Sequence, residues 1–170
     1  MYKGYKIRAP YFEIGPKCFM WGQRMLKLAQ AVDKIAEKYD LDVIVTPQYA
    51  DIRLIAENTS RIHVYAQHMD TLRPGRGLGS VLPESVKEAG AVGVMLNHAE
   101  KKLTLDQIRE SIARADEVGL ATIVCADSVD EIPLRGVGRT FRLRFSSVDG
   151  APFTLDAPVT LLFDQQRRPM

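Results

Sequence analysis

Apolar residues in the first 132 positions recur with two different periods in turn, which predicts strands alternating with helices. Short apolar or β-branched runs occupy 6–14, 42–46, 62–67, 91–96 and 120–125. After the first run, Met25, Leu28, Val32, Ile35 and Tyr39 return every three or four residues, predicting a helix over 20–39 with these side chains inward. Residues 49–57 predict a short helix with Ile52 and Ile55 inward. A third helix starts near Pro83, a favoured first helical position, and stops at Gly90. Thr104-Leu105-Asp106-Gln107 has the pattern of a capping box. It opens a fourth helix whose expected buried stripe is Leu105, Ile108, Ile112 and Ala115, with Gly119 after it.

The second, fourth and fifth runs are continuously apolar, as strands buried on both faces are, and strand–helix alternation favours a parallel sheet. Two layouts satisfy this pattern: an open doubly wound sheet and an eight-stranded barrel. Periodicity does not choose between them.

The pattern breaks near Pro133. Phe141, Leu143 and Phe145 alternate with Arg142 and Arg144, Asp149-Gly150 is a turn signal, and 159–163 is a second apolar run. This predicts an antiparallel hairpin. Composition breaks at the same place. Residues 1–132 carry 17 Lys+Arg against 18 Asp+Glu, whereas 133–170 carry six basic residues, all Arg, against three acidic ones, and four of the nine prolines. The expected organisation is therefore one βα region over 1–132 and an Arg/Pro-rich tail over 133–170.

The overall charge of +2 gives no reason to expect a nucleic-acid or membrane partner. No apolar run approaches the ~20 residues needed to span a bilayer. The basic start is not followed by the apolar stretch of a secretory signal. Two distant cysteines, Cys18 and Cys125, form neither a disulfide framework nor a metal pattern and suit a reducing cytoplasm.

In either layout ligands bind beyond the carboxyl ends of the strands. The polar residues falling there are Lys17, then Gln67, His68 and Asp70, then Asn97, His98 and Glu100, and then Asp127 and Ser128. Such a set can hold an anion and handle protons. Each member also has a plainer reading: Lys17 as a solvated charge, and His68 and His98 as histidines satisfying loop backbone. His63, in mid-strand, reads as structural. The glycine-rich run Arg73-Pro74-Gly75-Arg76-Gly77-Leu78-Gly79 lacks the spacing of a phosphate loop and reads as an exposed loop.

Residues 91–102, AVGVMLNHAEKK, resemble the fourth-strand signature of triosephosphate isomerases, Gly-Ala-x-x-x-x-Leu-x-His-Ser-Glu-(Arg/Lys). Val64-Tyr65-Ala66-Gln67-His68 is similar to that family's third-strand ending, and 77–84 to the stretch after its subunit-contact loop. The likeness covers roughly 5–131. It departs at Gly15-Pro16-Lys17, where the family has Asn-x-Lys, and at Ala99, where it usually has Ser.

The resemblance implies a partial (β/α) barrel of about five parallel βα units, followed by the hairpin-like tail. It also implies an aldose–ketose isomerase of small phosphorylated sugars that uses neither metal nor organic cofactor, since only protons move. His98 would be the neutral electrophile that polarises the carbonyl. Lys17 would hold the substrate and the developing enediolate, and Glu100 would orient Lys17. Asn97 and His68 would join Lys17 in substrate binding, and the third loop would dock into a second copy of the chain.

The family's base, a glutamate after the sixth strand, has no counterpart in 133–170, which contains no glutamate. A complete barrel takes ~250 residues. Little or no turnover is therefore expected from this polypeptide alone. The alternatives are a non-catalytic sugar-phosphate or protein-binding module, or a fragment without its own function. The tail suits either a shifted reading frame or a replacement that covers an open sheet edge.

Overall fold

A computed structural model describes residues 7, 8 and 10–126, and the backbone of 143–144. Among these residues six strands run in the order β1(Tyr11–Ile14), β2(Asp42–Val45), β3(His63–Ala66), β4(Gly93–Leu96), β5(Ala121–Cys125) and β6(Leu143–Arg144). Every neighbouring pair is parallel. The strand order follows the chain without reversal. A doubly wound sheet needs a reversal at its switch point, so this sheet is the curled half of a barrel. Leu143–Arg144 lies parallel beside β5; the rest of the hairpin expected over 140–163 lies outside the described residues.

Among the described residues four helices connect the strands: α1(Gly22–Lys38), α2(Ile52–Ala56) after a 3-10 turn at Tyr49–Asp51, α3(Pro83–Glu88) and α4(Leu105–Val118). None is long and apolar enough to cross a membrane. The helix side of the sheet holds the main core, with Val43, Val45, Val64, Ala66, Val94 and Leu96 from the strands. The opposite, lumen side carries a smaller cluster of Ile7, Ile44, Tyr65 and Ile123. All four residues of β2 and of β4 are buried, while at the edge Phe12 of β1 is 57% exposed. Burial on both faces is what the continuous apolar runs of β2 and β4 require, whereas in β5 only Ile123 is buried and its neighbours are half-buried.

Two expected stripes are displaced. On α1 the buried residues are Met25, Ala29, Val32 and Ala36, while Ile35 and Tyr39 are exposed. Ala29 and Ala36 are fully buried on the packed face, and Ile35 and Tyr39 lie off it. On α4 the buried set is Ile108, Ser111, Arg114 and Ala115, Ile112 packs at its edge, and Leu105 is exposed. Arg114 is buried because Glu84 and Glu117 both pair with it. The helix ends follow their local signals. Thr104 and Gln107 form the reciprocal capping box, and Gly119 stops α4 in the left-handed region at φ 77°. α1 has no local side-chain cap; Asp51, from the next loop, accepts from Gly22 N at 2.8 Å.

Candidate functional site

The lumen-facing register on successive strands is 11/13, 44, 65, 93/95 and 123. Its continuation brings Gly15, Thr46, Gln67 and Asn97 to the carboxyl end of the sheet. Lys17 and Asn97, just past β1 and β4, both have positive φ, at 50° and 55°. A side chain larger than glycine costs of order 1–3 kcal/mol in such a region and persists where its surroundings fix it. Here they do. The Lys17 carbonyl accepts from Gln48 Nε2 at 2.9 Å and from Gln67 Nε2 at 3.1 Å. Gln67 Nε2 also donates to the Thr46 carbonyl at 3.0 Å. Three consecutive loops are thereby tied to one backbone oxygen, which sets where the Lys17 side chain starts.

Lys17 Nζ lies 3.2 Å from Glu100 Oε1. Both side chains are about half exposed, so the pair contributes no more than about 1 kcal/mol to stability. Its effect is to aim the ammonium across the mouth from β1 toward the loop after β4.

His98 stands in that loop, with its carbonyl accepting from Lys101 N at 2.8 Å. Its Nδ1 accepts from the Glu100 backbone N–H at 3.2 Å. A backbone N–H can only donate, so Nδ1 carries the lone pair and Nε2 the proton in a neutral ring. Glu100 Oε2 is 3.7 Å from the same nitrogen, too far to make Nδ1 a donor. In its neutral form the imidazole thus offers Nε2–H as its hydrogen-bond donor.

Asn97 and His68 are placed differently. Asn97 Nδ2 donates to the Cys125 carbonyl, and its Oδ1 accepts from Leu103 N, both at 2.9 Å. Its amide braces the end of β5 and the loop into α4. His68 is buried, with Nε2 3.4 Å from Asp70 Oδ1 and Nδ1 without a partner among the described residues. Burial, with help from the Lys101 charge, lowers its pKa although Asp70 pulls upward. Asp70 closes the base of the 67–82 loop, accepting from Val81 N at 2.7 Å and donating its own N–H to the Val81 carbonyl at 2.9 Å. Arg73 pairs with Glu117 at 2.8 Å, and Leu78 is fully exposed on the same loop.

Sequence reasoning did not single out Gln48, Thr46 or Glu13. Thr46 Oγ1 donates to Glu13 Oε1 at 3.1 Å. The missed signal was register: 13, 46 and 67 follow the same inward alternation as the lumen cluster. An open hollow of ≈ 340 Å³ beside Lys17 is lined by Ile14, Pro16, Phe19, Met20 and Leu28. Those side chains are apolar and lie on the helix side of β1, so we place the site on the lumen side, where the polar groups converge. Among the described residues, Cys18 is exposed, with its Sγ 3.1 Å from Gln48 Nε2.

The family model for triosephosphate isomerase matches residues 16–144. The triosephosphate isomerase of Methanobacterium bryantii is 46% identical over 109 residues, covering 64% of this chain and 48% of that protein. The Sulfurisphaera tokodaii triosephosphate isomerase is 37% identical over 126 residues, covering 73% of this chain and 55% of that protein. A crystal structure of triosephosphate isomerase from Bartonella henselae superposes with a TM-score of 0.60 at 17% identity, over 71% of this chain and 53% of that one. That last likeness is one of fold. The chain spans about half the length of the curated relatives it matches.

Proposed function

The chain belongs to the triosephosphate isomerase family, and from this we propose that it carries the carbonyl-polarising part of an aldose–ketose sugar-phosphate isomerase site. The substrate class is a small phosphorylated sugar, such as glyceraldehyde 3-phosphate and dihydroxyacetone phosphate. The observation that carries the reading is the Nδ1 contact from Glu100 N, which leaves Nε2–H as the donor of the neutral His98 ring beside the Lys17–Glu100 pair. A neutral imidazole is suited to an enediolate because it donates to the developing oxyanion without holding a full charge in the ground state. Triosephosphate isomerase is itself the standard illustration of this chemistry, a neutral histidine working beside a carboxylate base.

In this reading His98 polarises the carbonyl. Lys17 supplies positive charge to the phosphorylated substrate and to the oxyanion, and Glu100 aims Lys17. Asn97 keeps the β4 loop in shape from behind, and His68 with Asp70 supports the third loop from beneath. The proton comes off carbon to a carboxylate base, which is worth on the order of 10²–10⁴ in rate. Residues 133–170 hold no glutamate. Binding without ordinary turnover is therefore the expected behaviour of the 170-residue chain. The same reading puts the protein in the cytoplasm and has the 67–82 loop, with Leu78 exposed, pack against a second copy of the chain.

The test is titration calorimetry with dihydroxyacetone phosphate, run beside a coupled isomerisation assay. Binding that is lost in Lys17→Ala and weakened in His98→Ala supports the proposal. A chain that binds neither triose phosphate overturns it, and turnover at an isomerase's ordinary rate overturns the expectation of weak catalysis. Sedimentation of wild type and Leu78→Asp tests self-association; a monomeric wild type removes that part.

A further inference from the structure

The departure at Gly15 has a structural counterpart. In the family pattern the residue two before the lysine is asparagine, and here it is Gly15. The space its side chain would take is occupied. A Cβ built on Gly15 lies 2.7 Å from Glu13 Oε1 and 3.2 Å from Thr46 Oγ1. On the lumen face of β1 a carboxylate from position 13 reaches up into the place an amide at position 15 would take. That carboxylate accepts from the Thr46 hydroxyl at 3.1 Å, and the Thr46 carbonyl accepts from Gln67, which also holds the Lys17 carbonyl. Glu13 therefore belongs to the same hydrogen-bonded set that positions Lys17.

We propose that Glu13 is a specificity-determining residue of this site, selecting ligands that present a free hydroxyl to the lumen wall of β1. The inference rests on the sugar-phosphate reading above. An amide both donates and accepts, so it tolerates a carbonyl or a hydroxyl opposite it. An ionised carboxylate only accepts. It rewards a hydroxyl donor, gains nothing from a methyl or a carbonyl oxygen, and repels a phosphate. Glu13 thus turns the phosphate away from β1 and the hydroxylated end of the sugar toward it. Lys17 meets the ligand with the opposite charge, so the two ends of one strand segment, four residues apart, fix its direction.

The experiment compares two ligands that differ by one oxygen: dihydroxyacetone phosphate and its deoxy analogue, acetol phosphate, each titrated into the whole chain by calorimetry. Wild type is expected to bind the hydroxylated ligand about tenfold more tightly, the difference one charge-assisted hydrogen bond makes. Glu13→Gln is expected to bring the ratio toward one. The double variant Glu13→Gly/Gly15→Asn, which removes the carboxylate and puts the family's amide at position 15, is expected to do the same. Equal affinities in wild type overturn the inference, and so does a ratio that survives both variants. If the variants fail to fold, the wild-type ratio alone decides. Binding of neither ligand overturns the sugar-phosphate reading itself and the inference with it; binding of both without discrimination overturns the inference alone.

Discussion

Replacing Gly93 by alanine probes the lumen of the half-barrel directly. A Cβ there would lie 2.4 Å from Tyr65 Cε2, 2.5 Å from Tyr65 Cζ and 2.8 Å from the Ala121 carbonyl oxygen. Tyr65 is 2% exposed and is among the largest fully buried side chains. The ring lies in the space that any side chain at 93 would need, and the Ala121 oxygen belongs to the partner strand in register with Gly93. Neither can yield cheaply. Overpacking of this kind costs about 1–3 kcal/mol, and a backbone oxygen among the clashing atoms puts this site near the top of that range. The alanine gains back about 0.5–1 kcal/mol by restricting the unfolded chain. A net loss of about 2 kcal/mol follows, or a fall in Tm of roughly 4–8 °C for a domain of this size. Urea unfolding measures it as a lower midpoint at unchanged slope. In Gly93→Ala/Tyr65→Leu the ring contacts are gone and the Ala121 contact remains, so the double variant should recover about 1 kcal/mol relative to additivity. An unshifted midpoint in Gly93→Ala, or strict additivity in the pair, would refute the claim that Tyr65 fills the lumen at Gly93. Because β4 leads directly into His98, the same variant should also weaken dihydroxyacetone phosphate binding.

Asp42 sits at the opposite, amino end of the strands. Burial pushes its carboxyl upward, but the Arg8 backbone N–H, the Arg8 guanidinium and His63 outweigh that and hold it at about 2. A carboxyl lowered on folding stabilises the protein above its unfolded pKa and loses that contribution as pH falls through the folded value. Acid unfolding should therefore lose about 2 kcal/mol between pH 4 and 2, and Asp42→Asn should lack that limb. Arg114→Met should cost about 2 kcal/mol by thermal melt. It frees Glu84 and Glu117, which are exposed enough for water to relieve much of the penalty for a broken buried pair. Gln67→Ala leaves the buried Thr46 carbonyl without its donor and Lys17 with one donor fewer, so stability should fall by about 2 kcal/mol and triose-phosphate affinity about tenfold. Asn97→Gly should keep the positive φ but lose two bonds, costing about 2 kcal/mol in urea unfolding; no loss would show that the amide braces nothing.

The order and kind of the elements were legible in the chain, because period, caps and helix-stopping residues are local. The Thr104–Gln107 box, Pro83 and Gly119 act within one turn of chain, and each stands where the local pattern put it. That Lys17, His98 and Glu100 lie together beyond the strand ends was legible too, since strand ends are where an α/β fold presents polar groups. The rest required the folded molecule. Unbroken strand order chose the barrel over the doubly wound sheet, a property of pairing that periodicity does not contain. Tertiary packing chose Ala29 and Ala36 over Ile35 and Tyr39 on α1, and a cap for that helix came from Asp51, 29 positions from Gly22. The Glu100 N–H that sets the tautomer of His98 is a matter of loop geometry. So is the reach of Glu13 into the space beside Gly15, which in sequence reads only as a missing asparagine. The common cause is that hydrogen-bond direction and available volume belong to the space between elements, and a linear pattern of apolar and polar residues specifies only which face of each element enters that space.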